Sequence, residues 1–447
     1  MLPRLIAVMC ACAIVPSVSA MGLLEGYRQV LAHDPQLAAA LQDKAAMDAE
    51  GDIAFSGLLP KVGVSGSISR VRGDRTASLG NLSATDPLNY SSRDWAITLT
   101  QPIFNKSIWE QYKQSRVKRD FASESLRVRQ SDAVVRYVST YLDVLVSAEN
   151  LELAKRQIST LEQLRLLAKQ SRGAGEGTVV DMDDAQARLD LAEAQRIDAE
   201  SVLRVVRKRL SDLVSVPVDA LRVPGTGLVL EMPEPAKVDW WIEKAVVDSP
   251  LLRSSQHGVE IARQDIDIVK ANHYPTVNLV MQSQKTSSQT LATLNEQSNT
   301  RLIGVQVNVP IYSGGAISAA SQSAAARWGA ARSTHEATQH QVEEDVVRQF
   351  SGVTGGINRI KALLVAERSS EKALKSNEAG VKGGVRAHID VLNAEQQLYQ
   401  VRRDLTQAVA GYLLSWVMLK SDIGALTMDD VARMDAYFNQ TRELAGN

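Results

Sequence analysis

Two glycine-rich stretches interrupt long runs of helix-forming sequence, and they are where ligand chemistry would first be sought: 171–178, Ser-Arg-Gly-Ala-Gly-Glu-Gly-Thr, and 380–386, Gly-Val-Lys-Gly-Gly-Val-Arg. A glycine-rich turn can cradle phosphate, but only after a strand and with a Lys-Ser or Lys-Thr pair opening the helix. Neither stretch has these. The glycines read instead as helix ends at which the chain reverses. After each turn an aspartate, Asp181 or Asp390, falls in the first turn of the returning helix, where the helix dipole favours an acid. His335-Glu336 with His340 has the look of a zinc helix, but the histidines are five apart where one helical face needs about four. His257, His273 and His388 are scattered, so no metal and no other cofactor is expected. No nucleophile–base pair stands out, and an enzyme is not expected.

The elements that position these turns are unusual. Residues 105–172 form a run of 68 without Gly or Pro. As one helix it would be roughly 100 Å long at about 1.5 Å per residue. Apolar residues recur at Val134, Val138, Tyr141, Leu145 and Ala148, then at Leu151, Ala154, Ile158 and Leu161, a heptad-like pattern with a skip near 148. A structural coiled coil and a wall stave of a tube both fit that pattern.

The chain repeats itself. Asp34-Pro35 is echoed by Ser249-Pro250, and Leu59-Pro60-Lys61-Val62 by Tyr274-Pro275-Thr276-Val277, both at an offset of 215. Gln101-Pro102-Ile103-Phe104 is echoed by Val309-Pro310-Ile311-Tyr312 at 208, and Asp181 by Asp390 at 209. A first repeat is expected over 21–216, with a helix, a strand pair within 60–103, a long helix 105–172 and a return helix 182–215. A linker of 217–238 carries four prolines. The second repeat, 239–425, has its strand pair within 275–311, a long helix 316–379 and a return helix 391–423. A C-terminal segment, 426–447, is left over. The polar stretches 71–93 and 286–300 read as external loops.

The strands alternate. Ile303, Val305, Val307, Val309 and Ile311 share one face, against Gly304, Gln306 and Asn308; Trp95, Ile97, Leu99 and Ile103 oppose Thr98 and Thr100. A transmembrane β-strand needs this pattern, and so does a soluble sheet with one wet face. Residues 1–20 read as a secretory signal peptide with Arg4, an apolar run to Val15 and a Val-Ser-Ala cleavage site. Both cysteines, Cys10 and Cys12, lie inside it, in no convincing lipid-attachment context. Beyond it no apolar run is long enough for a membrane helix, so any membrane span would be a β-barrel. With 50 basic and 51 acidic residues, the charge gives no reason to expect nucleic acid. Four strands cannot close a barrel, for which about eight are the minimum, and open edges are not tolerated in lipid. Several chains must then contribute; three would give a ring of about twelve.

The paired Leu-Pro-Lys-Val and Tyr-Pro-Thr-Val strand starts, the Gln-Pro-Ile-Phe and Val-Pro-Ile-Tyr-Ser-Gly-Gly junctions, and the glycine-rich turn before Asp390-Val391-Leu392-Asn393-Ala394 resemble the TolC family of outer-membrane channels over about 22–425. The resemblance implies an α+β membrane protein: a homotrimeric twelve-stranded transmembrane barrel, four strands per chain, continuous with a long α-helical periplasmic tunnel. It implies a passive exit duct for type I secretion or, alternatively, multidrug efflux. Partners would be a periplasmic adaptor (membrane fusion) protein, an inner-membrane ABC or proton-driven transporter, and outer-membrane lipid. The missing anchor cysteine leans toward secretion. By the same resemblance, Asp390, Asn393, Asp181 and Asp184 would ring the pore constriction, with Asn393 leaving one ring uncharged. Arg386 would latch the entrance through Asp181, and Val381 stands where the family can carry a latch tyrosine. Gly173, Gly175, Gly177, Gly380, Gly383 and Gly384 would form the hairpin tips that the adaptor grips. A soluble periplasmic coiled-coil scaffold or adaptor is the reading from another class.

Overall fold

The computed structural model describes residues 20–80, 82–173, 178–224, 229–290 and 293–444. The expected signal peptide, apart from Ala20, lies outside them. The chain divides into two units. One comprises 1–40, 126–252 and 339–447, and the other 41–125 and 253–338.

The second unit holds the sheet. β1 (Lys61–Leu79) pairs antiparallel with β2 (Leu82–Phe104), β2 with β4 (Thr276–Thr290), and β4 with β5 (Thr293–Asn308), in the order β1-β2-β4-β5. The strands run through stretches expected as loops. Pairing continues past the apolar segment, as in Arg72↔Asn89 and Asp74↔Pro87. Backbone hydrogen bonds hold the ladder there, while the apolar face turns polar and the remaining apolar residues, such as Val71 opposite Tyr90, fall on the other face, so that face's hydrophobic run stops while the strand does not. Along the apolar segment one face is uncovered: Val64 and Ile303 are each 70% exposed, which a soluble sheet would bury.

Two long helices leave this sheet. α3 (Lys106–Gly173) starts where the Asn105 side chain accepts a hydrogen bond from the Ile108 amide at 3.2 Å. α7 (Ala316–Lys382) follows Gly314 and Gly315, both at positive φ, where a side chain would be strained. Within this unit α3 is fixed to α2 (Pro35–Ser56) by Arg119, which reaches Asp52 at 2.6 Å and occupies the space left by Gly51. It is fixed to α6 (Pro250–Ala271) by the buried Gln114, which donates to the Ile261 carbonyl and to Asp265.

The first unit is built on the heptad face of α3. Tyr137, Tyr141, Val138 and Val144 are fully buried there. Tyr141 donates to the Arg222 carbonyl at 2.6 Å and packs edge-on against Tyr137 and Phe438. That carbonyl belongs to β3 (Ala220–Val223), inside the expected linker; β3 pairs with β6 (Gln440–Glu443) and takes a parallel bridge from Met21. The β3 part of the expected linker thus belongs to the core. Leu221 is 1% exposed.

The chain also breaks between two pairs of helices. α1 (Leu23–His33) ends before α2 at Asp34-Pro35, and α5 (Val238–Asp248) ends before α6 at Ser249-Pro250. Pro removes an amide and clashes with the preceding turn, which breaks each helix. Asp34 turns the break to use. It is 3% exposed, accepts from the Gln36 amide at 3.0 Å and pairs with Arg136 of α3.

α4 (Val179–Val214) and α8 (His388–Asp422) are the return helices, and α9 (Met428–Asp435) follows with a capping box from Thr427. α8 stops in a Schellman motif: Ala425 donates to Lys420, Gly424 donates to Ser421, and Gly424 has φ +64°. Near this end Asp422 faces Asp345 of α7. Burial, then the Asp345 charge, push its carboxyl up to about 7 against the pull of Arg348. Its Oδ2 is buried without a hydrogen-bond partner.

Candidate functional site

Both glycine-rich turns are helix–helix connections in the first unit. Gly173 ends α3; Gly175 and Gly177 lie outside the described residues. The second turn is defined throughout. Gly383 donates to the Ala379 carbonyl at 3.0 Å, and the amides of Val385 and Arg386 both donate to the Gly380 carbonyl. Gly384, at φ +70°, supplies the left-handed residue that reverses the chain. Gly380 has a different task. A Cβ there would lie 2.6 Å from Cγ of Arg386, so the glycine gives the arginine stem a bed across the end of α7.

Arg386 is thereby aimed at the first turn of α8, with its Nη1 3.6 Å from Asp390 Oδ2. Arg386 is exposed and Asp390 half-buried, and at this distance the contact adds little stability and leaves the guanidinium free to exchange partners. The expected partner was Asp181, whose side chain lies outside the described ones. Asp390 is the first-turn acid of α8, and its carbonyl accepts from Asn377 of α7 at 3.3 Å. Asp184 is exposed on the first turns of α4.

Asn393, one turn beyond Asp390, accepts from Arg188 of α4 at 2.9 Å. Arg188 was not among the expected site residues. An arginine in a charged helix carries no local signal, and its partner is 205 positions away. Asn393 is thus an amide tied to a cation. Below the tip a small apolar cluster holds the hairpins together, with Leu161, Leu164, Ala185, Leu189, Val391 and Leu392 buried. Val381 packs against it from α7. Farther along α8, Arg402 bridges Glu367 and Glu371 of α7, and desolvation lifts the Glu395 carboxyl above its ordinary range. Among the described residues no group of three or more His, Cys, Asp or Glu side chains is placed to hold a metal ion. Nor is any helix long and apolar enough to cross a membrane.

An uncovered apolar sheet face joined to long helical hairpins defines an outer-membrane channel fold, and solved structures share it. The outer-membrane channel CmeC of Campylobacter jejuni superposes with a TM-score of 0.78 at 16% identity, over 93% of this chain and 89% of that one. The fold class is the one expected: α+β, with a four-stranded sheet per chain joined to long helices, as in that outer-membrane channel. The sequence profile described as "Outer membrane efflux protein" matches residues 26–214 and 241–425, and the chain belongs to that family. The TolC resemblance holds, and the soluble scaffold is set aside: this is an outer-membrane protein with a periplasmic extension. It is 30% identical to the proteases secretion protein PrtF of Dickeya chrysanthemi, over 94% of this chain and 92% of the relative. It is 27% identical to the alkaline protease secretion protein AprF of Pseudomonas aeruginosa, over 94% and 88%. These relatives are secretion proteins rather than enzymes.

Proposed function

We propose that this chain is the exit duct of a tripartite type I secretion system, in which it passes a protein substrate delivered by an inner-membrane transporter through a periplasmic adaptor. The observation that carries this reading is the near full-length likeness to PrtF, a protein named for protease secretion. Conduction would be passive, with no catalysis in this chain. Three copies would close the four-stranded sheet into a barrel, because β1 and β5 each leave an edge unpaired. The family description equally supports a multidrug efflux role. Deletion separates the two: loss of a secreted protein with unchanged drug sensitivity supports secretion, and the reverse pattern supports efflux.

In this reading the tips of the α3–α4 and α7–α8 hairpins meet the adaptor, and Asp390 of three chains converges on one axis. Like charges around a pore attract cations. Replacing Asp390 with alanine is expected to weaken cation preference in a planar bilayer, read as a shift of reversal potential toward zero in a salt gradient. An unaltered reversal potential would remove Asp390 from the filter. Arg386 is the latch, so Arg386→Ala is expected to raise single-channel conductance. Unchanged conductance in the assembled trimer would count against a gating role.

A further inference from the structure

The exposed face of the sheet ends in a pattern that the duct reading does not use. Register places Val62, Leu99, Met281 and Ile303 in one row of that face. Away from the helices, the apolar run stops on every strand, and the next charged residue is basic: Arg70 on β1, Arg93 on β2, Lys285 on β4 and Arg301 on β5. Arg301 pairs with Ser283, two residues short of Lys285; Lys285 pairs with Trp95, two short of Arg93; Arg93 pairs with Ile68, two short of Arg70. The cations therefore form a diagonal, one per strand. A two-residue step is about 7 Å along strands about 4.8 Å apart. Membrane barrel strands tilt by about 35–45°, so this diagonal runs nearly level around the barrel.

Its height coincides with a membrane boundary. From Phe104 at the inner end of β2 to Trp95 is nine residues, about 30 Å along the strand and roughly 22 Å in height, close to the ~25 Å apolar band of such barrels. Trp95 marks the outer limit. It is 57% exposed and lies over Gly66, where a Cβ would come within 2.9 Å of its ring. The four cations are exposed, and none forms an ion pair or hydrogen bond among the described residues. Asp74, farther out on β1, is the one acid among the described side chains of this face.

We propose that this diagonal is a belt that binds the phosphate groups of the outer-leaflet glycolipid. Those phosphates sit where an apolar band meets water, which is where the cations stand. Guanidinium forks match phosphate oxygens two at a time. The helices leave from the opposite strand ends, on the periplasmic side, so the belt faces the outer leaflet. Inner-leaflet phospholipid would meet the strand–helix junctions instead.

The test uses the full-length trimer in detergent, with diphosphorylated lipid A as probe and native mass spectrometry to count bound lipid. Retention is expected for the wild type, with much weaker binding of lipid A stripped of its phosphates. In R70Q/R93Q/K285Q/R301Q affinity is expected to fall roughly fivefold per residue, on the order of several hundredfold together. A control variant, K61Q/R75Q, removes charge from the other face of β1 and is expected to bind as the wild type does. Equal binding by the fourfold variant, or equal binding of dephosphorylated lipid A, overturns the proposal. Competition by phosphatidylglycerol as strong as by lipid A overturns the outer-leaflet assignment. Should the fourfold variant fail to assemble, the two lipids compared on the wild type decide alone.

Discussion

Replacing Arg136 with alanine is expected to destabilise the first unit by about 3–5 kcal/mol, the usual result of stranding a buried charge. Asp34 is 3% exposed and holds the break between α1 and α2. Its two oxygens have different partners: Oδ1 takes the Gln36 amide at 3.0 Å and Oδ2 the Arg136 guanidinium. Arg136 also donates to Gln36 Oε1 at 2.6 Å, so both sides of the break depend on it. Without Arg136 the carboxylate keeps one backbone amide and no counter-charge. The double variant Asp34→Asn/Arg136→Ala should recover much of the loss, since neither charge then remains. Urea unfolding of the detergent-solubilised protein, followed by circular dichroism, reads both. A loss under about 1 kcal/mol in the single variant would mean that water already serves Asp34.

The second large effect depends on pH. Asp422 is shifted from the ordinary aspartate value of 3.8 up to about 7, burial being the main cause and Asp345 the next. The folded state holds this proton more tightly than the unfolded chain does. The group's stabilising contribution is therefore complete below pH 3.8 and is lost as pH rises through 7. At about 1.4 kcal/mol per pH unit, the wild type should lose roughly 4 kcal/mol over that window through this side chain. Asp422→Asn removes the proton linkage while keeping the shape. It is expected to match the wild type near pH 4 and to exceed it progressively up to pH 8, in the same urea assay. Parallel curves for the two proteins would show that the carboxyl titrates normally.

Why some of this was legible in the sequence and some was not follows from range. α3 was readable because nothing in 68 residues interrupts it. α7 contains Gly329, Gly352, Gly355 and Gly356, yet it also runs unbroken. A Cβ at Gly352 would strike Ser415 Oγ at 2.4 Å, and Gly356 faces Tyr412 at 3.3 Å, so these glycines set how closely α8 approaches rather than where α7 ends. The apolar strand segments were readable from alternation, and their polar continuations were not, because ladder hydrogen bonds leave no mark on side-chain type. β3 and β6 were missed for the same reason: each has four residues, and Ala220 pairs with Glu443, a partner at the far end of the chain. At the site, Arg386 and Asp390 were each singled out, but Arg386 was expected to reach Asp181 and the contact present, four residues along, is with Asp390. Arg188, which meets Asn393 only across two helices, could not be read locally.

The unpaired edges of β1 and β5 bear on how the molecule is made as well as on what it does. A newly exported chain holds a sheet with two sticky borders and an apolar face, and it cannot quench either alone. Its final folding step is therefore bimolecular or higher, and its yield rises with local concentration. Until copies meet, the strands are the segment most prone to templated aggregation, while the helical unit, whose core lies within one chain, has no such dependence. Biogenesis should follow that asymmetry, with the helices settled early and the strands shielded by a holding chaperone until they are delivered together to the membrane.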